Sequence, residues 1–193
     1  MHLKNFNFTP PFYTVLDVLT DRECLFLEKY LALFDDQLQT ATINSNKKPS
    51  DERKSLINFH KFNNSKNKWI FEKINNSVLH ANHNFWNYDL HGYDFFQYTV
   101  YTTENSHYNW HNDIGDYNSF FGERKISISI LVNDEFTGGV FKINNLNRNQ
   151  EIDVTLKKGQ AIIFPSFVPH CVTPVTAGTR KSVVAWICGP QFK

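Results

Sequence analysis

Disulfides, membrane spans and a strong charge of either sign are missing from this sequence of 193 residues. Its three cysteines, Cys24, Cys171 and Cys188, are odd in number and lack metal-site spacing. They argue against a disulfide framework and for a reducing compartment, the cytoplasm. No stretch reads as a signal peptide, and the longest apolar runs, such as 126–132, fall far short of the ~20 residues that cross a bilayer. A net charge of +1 gives no overall pull towards nucleic acid or a membrane surface. Repeats and a second domain are lacking too, so 1–193 reads as one domain, long enough to bury roughly 70% of its unfolded surface.

Aromatic side chains are abundant. At 16% of residues they suit a fold whose core and pocket are both built from strands. Residues 1–15 read as an extended lead-in broken at Pro10-Pro11. Thr20 or Asp21 then offers an N-cap, and Cys24, Leu25, Leu27, Tyr30, Leu31 and Phe34 recur at helical spacing, predicting a helix over 21–35. Residues 37–68 are polar and read as a long mobile loop with room for one strand. Within it Lys47, Lys48, Arg53, Lys54, Lys61, Lys66 and Lys68 outnumber Asp51 and Glu52, either as a solvated loop or as a lid over an acidic or nucleic-acid substrate. Trp69, Ile70, Phe71, Ile74, Val78 and Leu79 predict a second helix over 66–83.

From residue 84 the period changes to two. Alternation predicts strands over 85–90, 94–101 and 125–132, the last with Ile126, Ile128, Ile130 and Val132 on one face and Ser127, Ser129 and Leu131 on the other. Shorter strands follow at 140–143, 152–156 and 160–164, with a turn at 137–139 before the first of them. Pro165 and Pro169 bracket a rigid approach to His170. A helical part over about 16–85 followed by strands over about 85–190 predicts an α+β chain whose main body is a jelly-roll sandwich.

The chemistry concentrates in two stretches. The first, 101–113, ends in His111-x-Asp113, two side chains that strand alternation turns to one face. Alone the pair is weak, because chance supplies ~0.5 of them in a chain of this composition. The second contains His170 and then Arg180, Ser182, Val184 and Trp186, all of one parity. Two imidazoles and a carboxylate leave open positions on a metal, the pattern associated with non-haem Fe(II) oxygenases. Arg180 is the residue type best suited to grip a carboxylate, and Ser182 can add a donor. His80-x-x-His83 is a rival metal pattern with no third ligand nearby. A zinc hydrolase and a non-catalytic binding module remain as other readings.

Together, His111-x-Asp113, His170 with Val172-Thr173-Pro174-Val175-Thr176, and Gly178-x-Arg180-x-Ser182 resemble the Fe(II)/2-oxoglutarate-dependent dioxygenases of the prolyl-4-hydroxylase-like branch. Tyr101, ten residues before His111, and Tyr108, three before it, lie close to that branch's 2-oxoglutarate-contacting tyrosine and pocket aromatic. Trp186 falls where several of these enzymes carry a tryptophan. The resemblance implies a double-stranded β-helix with N-terminal helices packed on one sheet. It also implies Fe(II) on His111, Asp113 and His170, with 2-oxoglutarate held by Arg180 and flanked by Ser182, Tyr101, Ser129 and Trp186. Hydroxylation of a C–H bond would be coupled to conversion of 2-oxoglutarate to succinate and CO2, with ascorbate as a reductant. The implied partner is a protein or peptide bearing a prolyl residue, contacted by Tyr108 and Trp110; a free amino acid, another small molecule or a nucleobase is the alternative. One departure stands out. A second tyrosine that some relatives place after His-x-Asp is matched here by Leu131, leaving Ser127, Ser129, Tyr98 or Tyr101 to substitute. The loop at 37–68 and the segment 115–123, with Tyr117, Phe120 and Phe121, would flank the pocket mouth.

Overall fold

The computed structural model describes residues 11–42, 51–63, 65–103, 105–114 and 121–192. Expectations placed on Pro10, Lys47, Lys48, Tyr117 and Phe120 lie outside these residues.

Strand β1 (Thr14–Asp17) leads into helix α1 (Asp21–Ala32). Thr20 caps it reciprocally: the Glu23 N–H donates to the Thr20 hydroxyl at 3.3 Å, and the Thr20 N–H donates to the Glu23 carboxylate at 2.8 Å. The next segment, read from sequence as loop, holds three short strands: β2 (Gln39–Thr40), β3 (Arg53–Lys54) and β4 (Leu56–Lys61). Helix α2 (Lys68–Ala81) follows and buries Ile70, Phe71, Ile74, Val78 and Ala81.

Ten more strands make up the body: β5 (Phe95–Tyr101), β6 (His107–His111), β7 (Glu123–Leu131), β8 (Phe136–Gly138), β9 (Phe141–Asn145), β10 (Gln150–Val154), β11 (Gln160–Pro165), β12 (His170–Val172), β13 (Val175–Gly178) and β14 (Arg180–Gly189). They form a seven-stranded sheet in the order β1-β11-β7-β14-β5-β4-β2 and a five-stranded sheet in the order β10-β9-β12-β6-β3, with β8 and β13 as a separate pair. This is the double-stranded β-helix, an α+β jelly roll with its N-terminal helices packed on the larger sheet.

The larger sheet turns its apolar side away from the smaller one. Phe96, Tyr98 and Val100 of β5, Ile126, Ile128 and Ile130 of β7, and Val183, Ala185 and Ile187 of β14 join Leu27, Leu31, Ile70 and Ile74 of the helices in one buried cluster. The opposite parity, including Thr99, Tyr101, Ser129, Arg180 and Ser182, therefore faces the space between the sheets. The helices thus free the sheet's inner face to be polar, which is what a binding site needs.

Residues 85–90 are not a strand. A π-helical turn (Asn82–Trp86) continues α2, and the buried Asn82 amide both donates to Tyr88 O and accepts from Tyr88 N–H, each at 2.9 Å. Asn87 then ends the turn in the left-handed region, at φ 52. The alternation at 85–90 is an accident of aromatic content, overruled by local side-chain hydrogen bonding.

His60 of β4 is stacked on Phe96 with ring centroids 5.0 Å apart, and its Nε2 is buried without a partner. Burial pushes its pKa from 6.5 down to about 4. Between those values the unfolded chain holds the extra proton, so His60 costs stability as pH falls from about 6.5 towards about 4. His60→Phe is therefore expected to narrow the gap between urea midpoints measured at pH 7 and pH 5.

Candidate active site

Three strand ends and one turn build the site. His111 closes β6 and His170 opens β12, and the two residues are direct partners across the antiparallel ladder. Their ring centroids are 4.2 Å apart. The ladder carries a bulge: Val172 pairs with Tyr108, so two steps on β12 match three on β6. That extra residue brings Tyr108 onto the same side as His111, where their rings stack 3.4 Å apart.

Asp113 lies beyond the end of β6, so strand alternation is not what aims it. A turn does so instead. The Asp113 N–H donates to Ser166 O at 2.8 Å, and the Ser127 hydroxyl donates to Asp113 Oδ2 at 2.7 Å. Ser127, which could have served the co-substrate, thus sits behind the carboxylate. Its oxygen is also 2.9 Å from the Ser166 hydroxyl, in the turn that Pro165 and Pro169 bracket. The same turn orients His170, whose Nδ1–H donates to Val168 O at 3.0 Å; His111 Nδ1–H donates to Asn109 O at 2.7 Å. A carbonyl can only accept, so each Nδ1 carries a proton and Nε2 is the nitrogen of each ring left to face a metal.

Those two nitrogens converge on Asp113: His111 Nε2 is 3.8 Å from Oδ1 and His170 Nε2 is 3.5 Å from Oδ2. Among the described residues these three form the one group of His, Cys, Asp or Glu side chains placed to hold a metal ion. His80 and His83 are exposed and bring no third ligand. Burial, followed by the His170 neighbour, pushes His111 down to about 3, so it is neutral near pH 7. Burial also pushes Asp113 upward, but His170, His111 and the Ser127 hydroxyl outweigh it and hold the carboxyl below its ordinary range. A neutral His111 beside an ionised Asp113 is what a divalent cation requires of these two groups.

The group opens into a cavity of about 910 Å³ between the sheets. On its far wall, Arg180 is 2% exposed, and among the described residues no carboxylate pairs with it. One terminal nitrogen donates to the Ser182 hydroxyl at 3.2 Å, its Nε has no partner among the described residues, and burial lowers its pKa. A guanidinium held dry and unpaired is unstable unless an anion joins it, so the wall is built for a carboxylate. Gly139, at φ +59, makes room: a Cβ there would come within 2.8 Å of Arg180 Cδ. Tyr101, paired with Arg180 in the ladder, lines the cavity with Ser129, Ser182, Tyr108 and Trp186. Tyr98 points the other way, into the cluster beneath the helices, and Leu131 is buried beside Ser182.

Trp110 does not line the cavity and is 41% exposed. Two lining arginines were not singled out as site residues in the sequence reading. Arg124 lies over the Trp186 ring at 4.0 Å, and Arg53 lies over the Tyr108 ring at 4.5 Å. Arg53 was legible only as one of several cations in a polar stretch.

Comparison with known proteins agrees with this geometry. The family described as 2OG-Fe(II) oxygenase superfamily matches residues 96–188. A PKHD-type hydroxylase of Synechococcus sp. (strain CC9902) is 36% identical over 84 residues, which is 42% of this chain. The match spans 35% of that relative's length. A prolyl-4-hydroxylase structure from Pseudomonas putida superposes with a TM-score of 0.71 at 19% identity, covering 92% of both chains. A prolyl hydroxylase from Trichoplax adhaerens, in complex with a hypoxia inducible factor peptide fragment, gives 0.75 at 17% identity, covering 92% of this chain and 83% of that one. At such identities the superpositions speak for the fold. The family assignment comes from sequence: residues 96–188, which hold the His/Asp/His group, are a segment of the 2OG-Fe(II) oxygenase superfamily, similar over part of their length to PKHD-type hydroxylases.

Proposed function

We propose that this chain is an Fe(II)- and 2-oxoglutarate-dependent hydroxylase acting on a prolyl residue of a protein or peptide. One observation carries the reading: a single cavity holds both a His/Asp/His donor group and a fully buried guanidinium that no carboxylate among the described residues neutralises. A zinc hydrolase has use for the first and none for the second. A non-catalytic module has use for neither.

In this reading His111, Asp113 and His170 hold the metal, with Ser127 fixing the carboxylate and two backbone carbonyls fixing the imidazoles. Arg180 takes the far carboxylate of 2-oxoglutarate, Ser182 and Tyr101 flank it, and Ser129 lines the space between. Burial raises the Tyr101 pKa, so its phenol stays protonated and able to donate. Bound Fe(II) supplies the activation of dioxygen that accompanies oxidative decarboxylation to succinate and CO2. The protein's own work is to orient the diacid, keep the cavity dry and present a substrate C–H to the open side of the metal group.

The prolyl assignment draws on the relatives' names and on the peptide bound to the Trichoplax enzyme. Ile57, Phe59, Phe95 and Trp186 give the cavity an apolar wall suited to a small ring. Tyr108 stays a substrate-side residue, whereas Trp110 drops out of that role. Three buried cysteines in no disulfide among the described residues, with Cys24 and Cys171 pushed up to about 11 by burial, favour a reducing compartment and hence the cytoplasm. Among the described residues no helix is long and apolar enough to cross a membrane.

Incubation of prolyl peptides and small molecules with Fe(II), 2-oxoglutarate and ascorbate tests the proposal. The expected outcome is Fe(II)-dependent succinate, with one peptide gaining the mass of one oxygen atom. Succinate released only with a free amino acid or nucleobase would leave the oxygenase class standing and remove the peptide assignment.

A further inference from the structure

We propose that Arg53 is the substrate-selecting residue of this site, binding a carboxylate on the primary substrate beside the C–H to be oxidised. The inference rests on the reading of the site as a 2-oxoglutarate-dependent hydroxylase and narrows its substrate to an acidic one.

Arg53 sits on β3, the edge strand of the smaller sheet, directly opposite Tyr108 of β6. Its guanidinium lies over the Tyr108 ring, which itself stacks on His111, so a cation, a phenol ring and a metal-site imidazole form one column along the cavity. It is nine-tenths buried and lines the cavity. The Nε–H donates to the Ser55 hydroxyl at 3.1 Å, and no carboxylate among the described residues pairs with the fork. Asp51 and Glu52 precede it in sequence, yet both are exposed.

Charge identifies the missing partner. Among the described residues three guanidiniums, of Arg53, Arg124 and Arg180, line the cavity against one carboxylate, that of Asp113. A metal dication and 2-oxoglutarate bring equal and opposite charge, so loading them leaves the cationic excess unchanged. The diacid's two carboxylates are already assigned, one to the metal and one to Arg180. Arg124 is occupied over Trp186 and by a 3.5 Å contact to Asp113 O. Arg53 remains, a planar fork held rigid by its ring stack, which is the geometry that recognises a carboxylate with two parallel hydrogen bonds. Lys54, Lys61, Lys66 and Lys68 of the same basic segment are exposed, so among its described cations Arg53 is the one that carries charge into the site. A single recessed fork suits one carboxylate at fixed distance from the metal, rather than a phosphate backbone tracked along a surface.

The carboxylate could belong to an Asp or Glu flanking the target proline, or to the proline's own α-carboxylate. Four ligands separate these sources: a prolyl peptide with an acidic neighbour, its amide isostere, a peptide ending in proline as free acid, and the same peptide amidated. Binding is read by fluorescence anisotropy on protein loaded with Mn(II) and 2-oxoglutarate without oxygen, and turnover by succinate release. The acid member of one pair is expected to bind roughly 10- to 100-fold tighter than its amide. Arg53→Gln should bring that ratio to about one, and Arg53→Lys should keep part of it. Equal binding of acid and amide by the unsubstituted protein overturns the proposal without any variant. So does a ratio that survives Arg53→Gln, a loss confined to 2-oxoglutarate affinity, or displacement of the peptides by a short oligonucleotide at lower concentration. Because the ratio is read without turnover, the two readings fail separately. Succinate formation with a ratio of one removes Arg53 and keeps the hydroxylase; a preserved ratio with no succinate does the reverse.

Discussion

Replacing Arg180 by methionine is expected to weaken 2-oxoglutarate binding by roughly 30- to several thousand-fold, from the about 2–5 kcal/mol that loss of one member of a buried charge pair costs. The same substitution should stabilise the ligand-free protein. Arg180 is 2% exposed and among the described residues its side chain donates only to the Ser182 hydroxyl, so in the absence of an anion it is a desolvated charge without a counter-charge among them. An apolar side chain of similar length removes that penalty, by about 1 kcal/mol or more. Opposite signs in the two measurements are the signature of a residue kept for a ligand. A structural arginine holding the sheets together would lose stability and leave affinity alone. Arg180→Lys should fall between, since a point charge replaces the fork. Calorimetric titration of 2-oxoglutarate and thermal melts of the ligand-free variants read both effects.

Asp113→Ala should reduce Fe(II) affinity by more than about 100-fold. Loss of an outer partner of a metal ligand already costs about 10–100-fold, and Asp113 is proposed as a ligand itself. Ser127→Ala, which removes the 2.7 Å hydrogen bond to Asp113 Oδ2 and the 2.9 Å one with the Ser166 hydroxyl but no ligand atom, should fall within that smaller range. The ordering Asp113→Ala beyond Ser127→Ala, measured by anaerobic competition with a chelator, checks the roles that the geometry gives them. Equal affinities for both variants and the unsubstituted protein would remove the metal site from this part of the fold.

Much of this was written in the local pattern. The parity of Arg180, Ser182, Val184 and Trp186 survived intact because β14 is a long central strand, paired on both sides, where alternation is enforced by its neighbours. Helix α1 was legible for the same kind of reason, its Thr20 and Glu23 forming a cap within four residues. What escaped depends on partners distant in sequence. The bulge that carries Tyr108 to the side of His111 exists only in the pairing of β6 with β12. Asp113 is aimed by Ser127 and Ser166, neither predictable as its neighbour from spacing. Arg53 was one of seven cations in a stretch read either as a solvated loop or as a lid, and only the pairing of β3 with β6 over Tyr108 sets it apart from the others. Strands of two residues leave almost no periodic trace, which is why β2 and β3 went unread in a stretch given room for one strand.

The most direct test of the account is a calorimetric titration of 2-oxoglutarate into the oxygen-free protein, with and without Mn(II) as a redox-inert stand-in for Fe(II). The account predicts one diacid per chain, bound tightly only when metal is present, and lost separately in Asp113→Ala and in Arg180→Met. Binding of equal strength without metal, or binding that both variants retain, would contradict it.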